Sequence, residues 1–252
     1  LTSIRLNAVP GIPLIHAGDD LSAIIITALT QAEMPLQDDD ILVISSKIVS
    51  KAEGCIVDLR TVTPSEQAEQ VAATTRKDPR IVEIILQESD AISRQAPHVL
   101  VTQHRLGFVS ANAGIDQSNV ADDTHHILLL PKDPDASARQ LRKAMFQATG
   151  ARVGIVISDT HGRPFRLGNI GVAIGIAGIP ALRDLRGEKD LYGRTLQISL
   201  QAYGDLVASA AHLVCGEADE GRPVVHLRGL HFTDDNSSAA DLNRNPEQDL
   251  YR

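Results

Sequence analysis

Two hydrophobic spacings alternate along this chain, and the switches between them mark out its elements. Residues 41–44, 153–157 and 224–227 are short, nearly unbroken runs of Ile, Val and Leu that read as strands, the second of them buried. Residues 4–9 read as a further strand, turned by Pro10, Gly11, Ile12 and Pro13. Helical spacing follows Asp19 and Asp20 as far as about Ala32 and recurs over 65–76, 79–93 and 205–214. Asp78 is a natural N-cap for the third of these, with Pro79 in the first turn, where its missing N–H costs nothing. Asp133 and Pro134 open another helix that ends at Gly150. Residues 99–102 and 108–111 pair as a hairpin around 105–107, residues 196–201 form a strand, and the glycine-spaced stretch 168–178 fits a helix poorly.

Strands and helices do not alternate regularly. The expected class is therefore α+β, with mixed or antiparallel sheets and helices, rather than a doubly wound parallel sheet. Residues 1–231 form the folded unit, with room for two subdomains. From residue 232 to 252 Asp, Asn, Ser, Pro and Gln replace the aliphatics, which predicts a polar, mobile tail or linker remnant outside the core.

Composition narrows the class. With 252 residues, 43% of them hydrophobic, a large core is available. A formal net charge of −8 argues against nucleic acid or an anionic membrane as the main partner, and 3% aromatic residues without Trp exclude an extended base-stacking surface. No apolar run is long enough to span a bilayer, and no signal segment opens the sequence. Cys55 and Cys215 lack metal-ligand spacing and suit small core positions in a reducing cytoplasm.

Candidate chemistry centres on residues 152–166, RVGIVISDTHGRPFR, where an apolar strand delivers Asp159 and Thr160 into a tight basic turn. Hard cations take carboxylate and hydroxyl oxygens, and arginines take phosphates. The plain alternative is a strand-ending turn capped by Asp159 and freed by Gly162. Three other clusters supply similar groups. Ser45, Ser46, Lys47 and Lys51 follow a strand, although lysines there are commonly a solvated helix face. Residues 112–119, NAGIDQSN, read equally as an Asx-rich turn, and residues 215–221, CGEADEG, as an exposed acidic loop. No GxxxxGK[ST] loop occurs, and GNIGVAIGIAG is not a dinucleotide fingerprint. The SDTHG motif resembles the first metal motif of calcineurin-like metallophosphoesterases, but the later GNH[DE] and GHxH blocks are missing. His161 is accordingly read as a turn residue or polar pocket wall.

Seven ordered blocks resemble one family as a set: PGIPLI, SSKIVSKAEG, NAGIDQSN, LLPKDPDASARQLR, SDTHGRPFR, RGEKDLYGR and GEADEGRPVVHLRG. This arrangement is similar to the coenzyme F420-0:L-glutamate ligases, the CofE proteins of archaea and the N-terminal domain of bacterial FbiB proteins. The resemblance implies a CofE-like fold, an intertwined homodimer, GTP as co-substrate and two divalent cations, Mg2+ or Mn2+, with K+ as an additional candidate. It places Ile12, Pro13, Leu14, Ile15, Ser46, Lys47, Lys51 and Asn119 on nucleotide-contacting positions, together with the loop Gly216, Glu217, Ala218, Asp219, Glu220 and Gly221. Asp116 and Asp159 match ligands of one metal, and Thr160 and Glu217 those of the second, with Asp219 or Glu220 able to share the role of Glu217. Arg163 and Arg166 are candidates for holding the anionic acceptor or the glutamate, on charge and closeness to Asp159.

The implied reaction passes the γ-phosphoryl group of GTP to the F420-0 carboxylate, and the amine of L-glutamate attacks the acyl phosphate. Further γ-linked glutamates can follow. A catalytically silent GTP-binding module is the alternative from another class, and a metallophosphoesterase a weaker one. The ending PEQDLYR resembles the junction to the flavin domain of FbiB proteins, which leaves a free-standing ligase or a piece of a longer protein.

Overall fold

The computed structural model describes residues 3–120, 124–233 and 236–248. Its central element is a five-stranded sheet built from β1 (Arg5–Ala8), β2 (Ile41–Ser45), β8 (Gly154–Arg163), β9 (Arg166–Ala177) and β12 (Val224–Arg228), ordered β1-β12-β2-β8-β9. Only β2 and β8 run parallel. Alternate residues face opposite sides. Leu42, Ile44, Ile155 and Ile157 pack under α1 (Leu21–Gln31) and α5 (Pro134–Thr149), whereas Ile41, Val43, Val156 and Ile176 pack under α6 (Tyr203–Cys215). Burial on both faces is why these strands read as unbroken apolar runs.

The expected caps are in place. The side chains of Asp20, Ser65, Asp78 and Asp133 accept from backbone N–H groups at the starts of α1, α3 (Glu66–Thr75), α4 (Pro79–Gln87) and α5. Gly150 ends α5 at φ 76°. A short helix α2 (Ser46–Ala52) follows β2 directly. A second layer carries β4 (Ser89–Ala96), β5 (Val99–His104) and β6 (Val109–Ala111), with α3 and α4 packed on it around Val82, Ile85 and Leu100. β3 (Ile56–Asp58) pairs with β7 (His126–Leu128), and β10 (Leu182–Asp184) with β11 (Leu200–Ala202). The class is α+β with mixed sheets.

Four expectations are corrected. The helix drawn over 79–93 stops at Gln87, because its apolar spacing ends there and Ser89–Ala96 finds a partner in β5. The strand expected over 196–201 is only Leu200–Ala202, while Leu196 donates its N–H to Glu188 O within an exposed arm. The motif expected to form a turn is not one: Asp159, Thr160 and His161 continue β8 in register with Val172, Gly171 and Ile170, and the chain reverses only between Arg163 and Arg166. The tail is not free of the core either. Ala239 is buried, Phe232 and Leu242 pack against the cluster under α6, and Ser238 Oγ donates to Asp135 Oδ2 at 2.6 Å. Residues 234–235 and 249–252 of that segment lie outside the described residues.

The glycine-spaced stretch 168–178 is mostly strand β9, whose glycines admit helices. A Cβ at Gly171 would lie 2.4 Å from the His212 ring, and one at Gly175 would lie 2.5 Å from the Pro134 backbone. Among the described residues no helix is long and apolar enough to cross a membrane.

Candidate active site

The parallel register of β2 and β8 creates the site. Ser45 lies opposite Ser158, so β2 ends just as β8 reaches Asp159, and Ser46, the first residue of α2, arrives beside that carboxylate. Its Oγ donates to Asp159 Oδ1 at 3.0 Å. The two-residue period of β8 then divides the oxygen donors. Asp159 follows Ile157 towards the α1 and α5 face, while Thr160 follows Ser158 towards α6. Thr160 Oγ1 is 3.3 Å from Glu217 Oε1, in the loop that leaves α6.

These groups open into a cleft of about 560 Å³. Its lining includes Ile12, Pro13, Leu14 and Ile15; Ser46, Lys47 and Lys51; Asp116 and Asn119; Asp159 and Thr160; and the loop from Gly216 to Gly221. Ile15 is buried in the core and anchors its loop, leaving Leu14 exposed at the rim. On α2 the i, i+4 spacing turns Lys47 and Lys51 to the same side.

The loop after β6 is held under backbone strain. Asn112, Ala113 and Gly114 all have positive φ, at 53°, 53° and 67°. For Ala113 that conformation costs about 1–2 kcal/mol, and its side chain is buried in the core under α3 and α4. Gly114 is needed, since a Cβ there would come 2.7 Å from Leu130 Cδ1. The reward is Asp116, whose Oδ2 lies 2.6 Å from Lys47 Nζ and whose Oδ1 accepts from Ser118 N and Oγ at 2.7 and 2.8 Å. Burial opposes its ionisation, but the hydrogen bonds from Lys47 and Ser118 outweigh it and hold the carboxyl below the usual carboxylate range. Lys51 is pushed below the usual lysine range by burial and then by the charge of Lys47, with Asp116 opposing.

Asn119 Nδ2 donates to Ala218 O at 3.2 Å, tying this loop to the acidic one. Of the three acids there, Glu217 is the one that reaches Thr160, and it also meets His212 Nδ1 at 3.2 Å. Glu220 braces its own loop instead: its Oε2 accepts from Ala218 N at 2.8 Å, and its carboxylate occupies the space a Cβ at Gly216 would fill. Backbone N–H groups hold that carboxyl low. Asp219 lines the cleft without reaching Thr160.

Arg163 and Arg166 are not brought to the cleft. They face each other at the end of the β8–β9 hairpin, where Arg163 Nη2 donates to Leu167 O at 3.0 Å. Four extended residues carry Arg163 roughly 13 Å beyond Asp159. Conversely, nothing in the sequence pointed to His212, which reaches the site from the last turn of α6 and also lies 3.4 Å from Ser158 Oγ. Cys215 lines the cleft, and burial pushes its thiol up, away from nucleophile behaviour.

Among the described residues no three His, Cys, Asp or Glu side chains form a ready-made metal cage. The donors instead come in small oxygen sets: Asp116 and Asp159 on one side of β8, Thr160 and Glu217 on the other. Such sets suit hard cations that complete their shells with phosphate oxygens and water, and they do not suit zinc. The residues therefore fit a hard divalent cation such as Mg2+ or Mn2+.

Comparison with known proteins shows the family. The family model for F420-0:Gamma-glutamyl ligase matches residues 11–229. A Coenzyme F420:L-glutamate ligase from Methanopyrus kandleri is 45% identical over 257 aligned residues, covering 100% of this chain and 99% of the relative. Those of Methanothermobacter thermautotrophicus and Archaeoglobus fulgidus are 47% and 42% identical, covering 99% of this chain and 99% and 96% of their own. The chain belongs to the F420-0:γ-glutamyl ligase family.

Proposed function

We propose that the chain is a GTP-dependent ligase that joins L-glutamate to coenzyme F420-0 through an amide bond, within F420 biosynthesis. The observation that carries this reading is the convergence of two lysines and four oxygen donors from four separate segments on one nucleotide-sized cleft. A carboxylate is a poor electrophile and needs a better leaving group before an amine can displace it. Transfer of the γ-phosphoryl group of GTP to the F420-0 carboxylate supplies one, as an acyl phosphate. Attack by the glutamate α-amine then releases phosphate.

The chain's own side chains bind and orient. Lys51, which has no carboxylate at ion-pair distance among the described residues, holds phosphate oxygens, and Lys47 shares its charge between phosphate and Asp116. Asp116 and Asp159 would hold one divalent cation, and Thr160 and Glu217 a second. When bound, the cations neutralise phosphate charge and align the transfer. Ile12 to Ile15 form an apolar rim suited to the base and ribose. Further γ-linked glutamates extend the same chemistry.

The family's homodimer and CofE-like fold are part of this reading. The arm between β10 and β11 exposes Leu191, Tyr192 and Ile198 at 100%, 91% and 88%, an apolar surface that favours a second copy of the chain. Sedimentation of the full chain tests that element.

The central test is mass spectrometry of the deazaflavin after incubation with F420-0, GTP and glutamate. A product one glutamyl residue heavier, with stoichiometric GDP, is the expected result. Nucleotide binding without product would instead favour the silent module. Heavy oxygen placed in the F420-0 carboxyl should appear in the released phosphate, and unlabelled phosphate would exclude the acyl phosphate.

A further inference from the structure

The Asp159 carboxylate is gripped from two sides. Ser46 Oγ holds Oδ1 at 3.0 Å, and His161 Nε2 lies 3.1 Å from Oδ2. A carboxylate only accepts, so Nε2 of His161 carries the proton in this contact. Each carboxylate oxygen has two lone-pair sites, so both oxygens retain one free after these bonds. The side chains of His161 and Asp159 are 10% and 18% exposed, so most of each group is enclosed by protein.

His161 is itself held, by an element distant in sequence. Its ring lies 4.8 Å from that of Phe108 at 55°, and Phe108 stacks on His104 at 5.1 Å and 10°. His104 is completely buried, and its Nδ1 accepts from Leu106 N at 3.0 Å. The backbone N–H of His104 donates to Phe108 O at 2.8 Å, fixing the tip of the β5–β6 hairpin. Three rings in contact thus run from the second layer of the molecule to the carboxylate.

We propose that His161 is a positioning residue, which together with Ser46 locks Asp159 in the orientation that presents it to a divalent cation, and that Phe108 locks His161. This rests on the reading of Asp159 as a cation ligand. It assigns a task to the histidine of the SDTHG motif that a turn residue would not have. Hydrogen-bond partners behind a ligating carboxylate commonly carry ten- to a hundredfold in metal affinity.

The test is Mn2+ binding to the full chain in the presence of GDP, read from the electron paramagnetic resonance of free Mn2+. His161→Phe keeps the ring contact with Phe108 and removes the donor, and should weaken Mn2+ binding by about ten- to a hundredfold. His161→Gln restores an N–H donor and should return most of the affinity. In an Asp159→Asn background His161→Phe should add little further loss, because it acts through that carboxylate. Phe108→Leu should give a smaller loss in the same direction. Parent-like Mn2+ affinity in His161→Phe, or a full additional loss in the double variant, overturns the proposal while leaving Asp159 as a ligand. Should His161→Phe fail to fold, Phe108→Leu decides: weakened Mn2+ binding supports the role, and parent-like affinity refutes it. A parent chain that binds no Mn2+ would overturn the metal reading and this role together.

Discussion

Lys47 Nζ sits 2.6 Å from Asp116 Oδ2, joining the first turn of α2 to the loop after β6 across the mouth of the cleft. The same ammonium donates to Ser118 O at 3.1 Å, so one lysine organises the loop that carries a candidate cation ligand. On the proposed reading, removing it disturbs both nucleotide and loop. Lys47→Met should weaken GDP binding by about tenfold or more, the range of one charge-assisted hydrogen bond. Titration calorimetry measures this, and unchanged affinity would place Lys47 in loop architecture alone.

Asp159→Asn preserves shape and removes charge. If the carboxylate holds a cation beside the transferring phosphoryl group, turnover should fall by about a hundredfold or more. Chelator should abolish activity in the parent, and added Mg2+ should restore it. Near-normal ligation in either experiment would remove the metal from the mechanism.

The site was more legible in the sequence than the shape that presents it. Oxygen donors and lysines at the ends of apolar runs marked the four segments, the family resemblance singled out Asp116, Asp159, Thr160, Lys47 and Glu217 within them, and one cleft gathers them. Arg163 and Arg166 lie at the tip of the β8–β9 hairpin and not in a turn beside Asp159, because pairing with β9 keeps the chain extended through His161. Ser89–Ala96 pairs with the next strand, β5, in a short hairpin, which the helix drawn as far as residue 93 overlooked. His212 carried no signal at all, since its meeting with Glu217 depends on how α6 lies over Gly171.

Stability at low pH should depend on Asp40. This carboxylate is 1% exposed and lies 2.6 Å from Arg228 Nη2 and 2.9 Å from His226 Nε2, joining the start of β2 to β12. Burial raises its pKa, but hydrogen bonds from Arg228 and Gln37 N and the close approach of the His226 ring outweigh it and bring it from 3.8 to about 2. A folded-state pKa below the unfolded one means stabilisation that is complete above about pH 4 and lost as the pH falls towards 2, worth roughly 2 kcal/mol. Asp40→Asn strands Arg228 and His226 and should cost about 3 kcal/mol at neutral pH. Urea titrations between pH 2.5 and 7 should show the parent converging on the variant as the pH falls; a constant gap between them would contradict the assignment.

The last prediction concerns the segment after β12. Its polar composition suggests an expendable tail, yet Asp135 at the start of α5 bonds Ile176 N on the open edge of β9, Ser238 Oγ and Ala239 N. One carboxylate thus covers the sheet edge and docks the segment, which seals Ala239 and Leu242 against the α6 cluster, while Asn243 Nδ2 reaches Leu106 O at 2.9 Å beside Phe108. Burying even one such apolar side chain contributes about 2 kcal/mol. Deleting residues 236–252 should therefore lower the melting temperature by about 4–8 °C in a chain of this length. Asp135→Ala should destabilise further, because it also frees a backbone donor on β9. Calorimetric scans of the parent, the truncation and the point variant decide this, and an unchanged transition on truncation would mean that these contacts contribute nothing in solution.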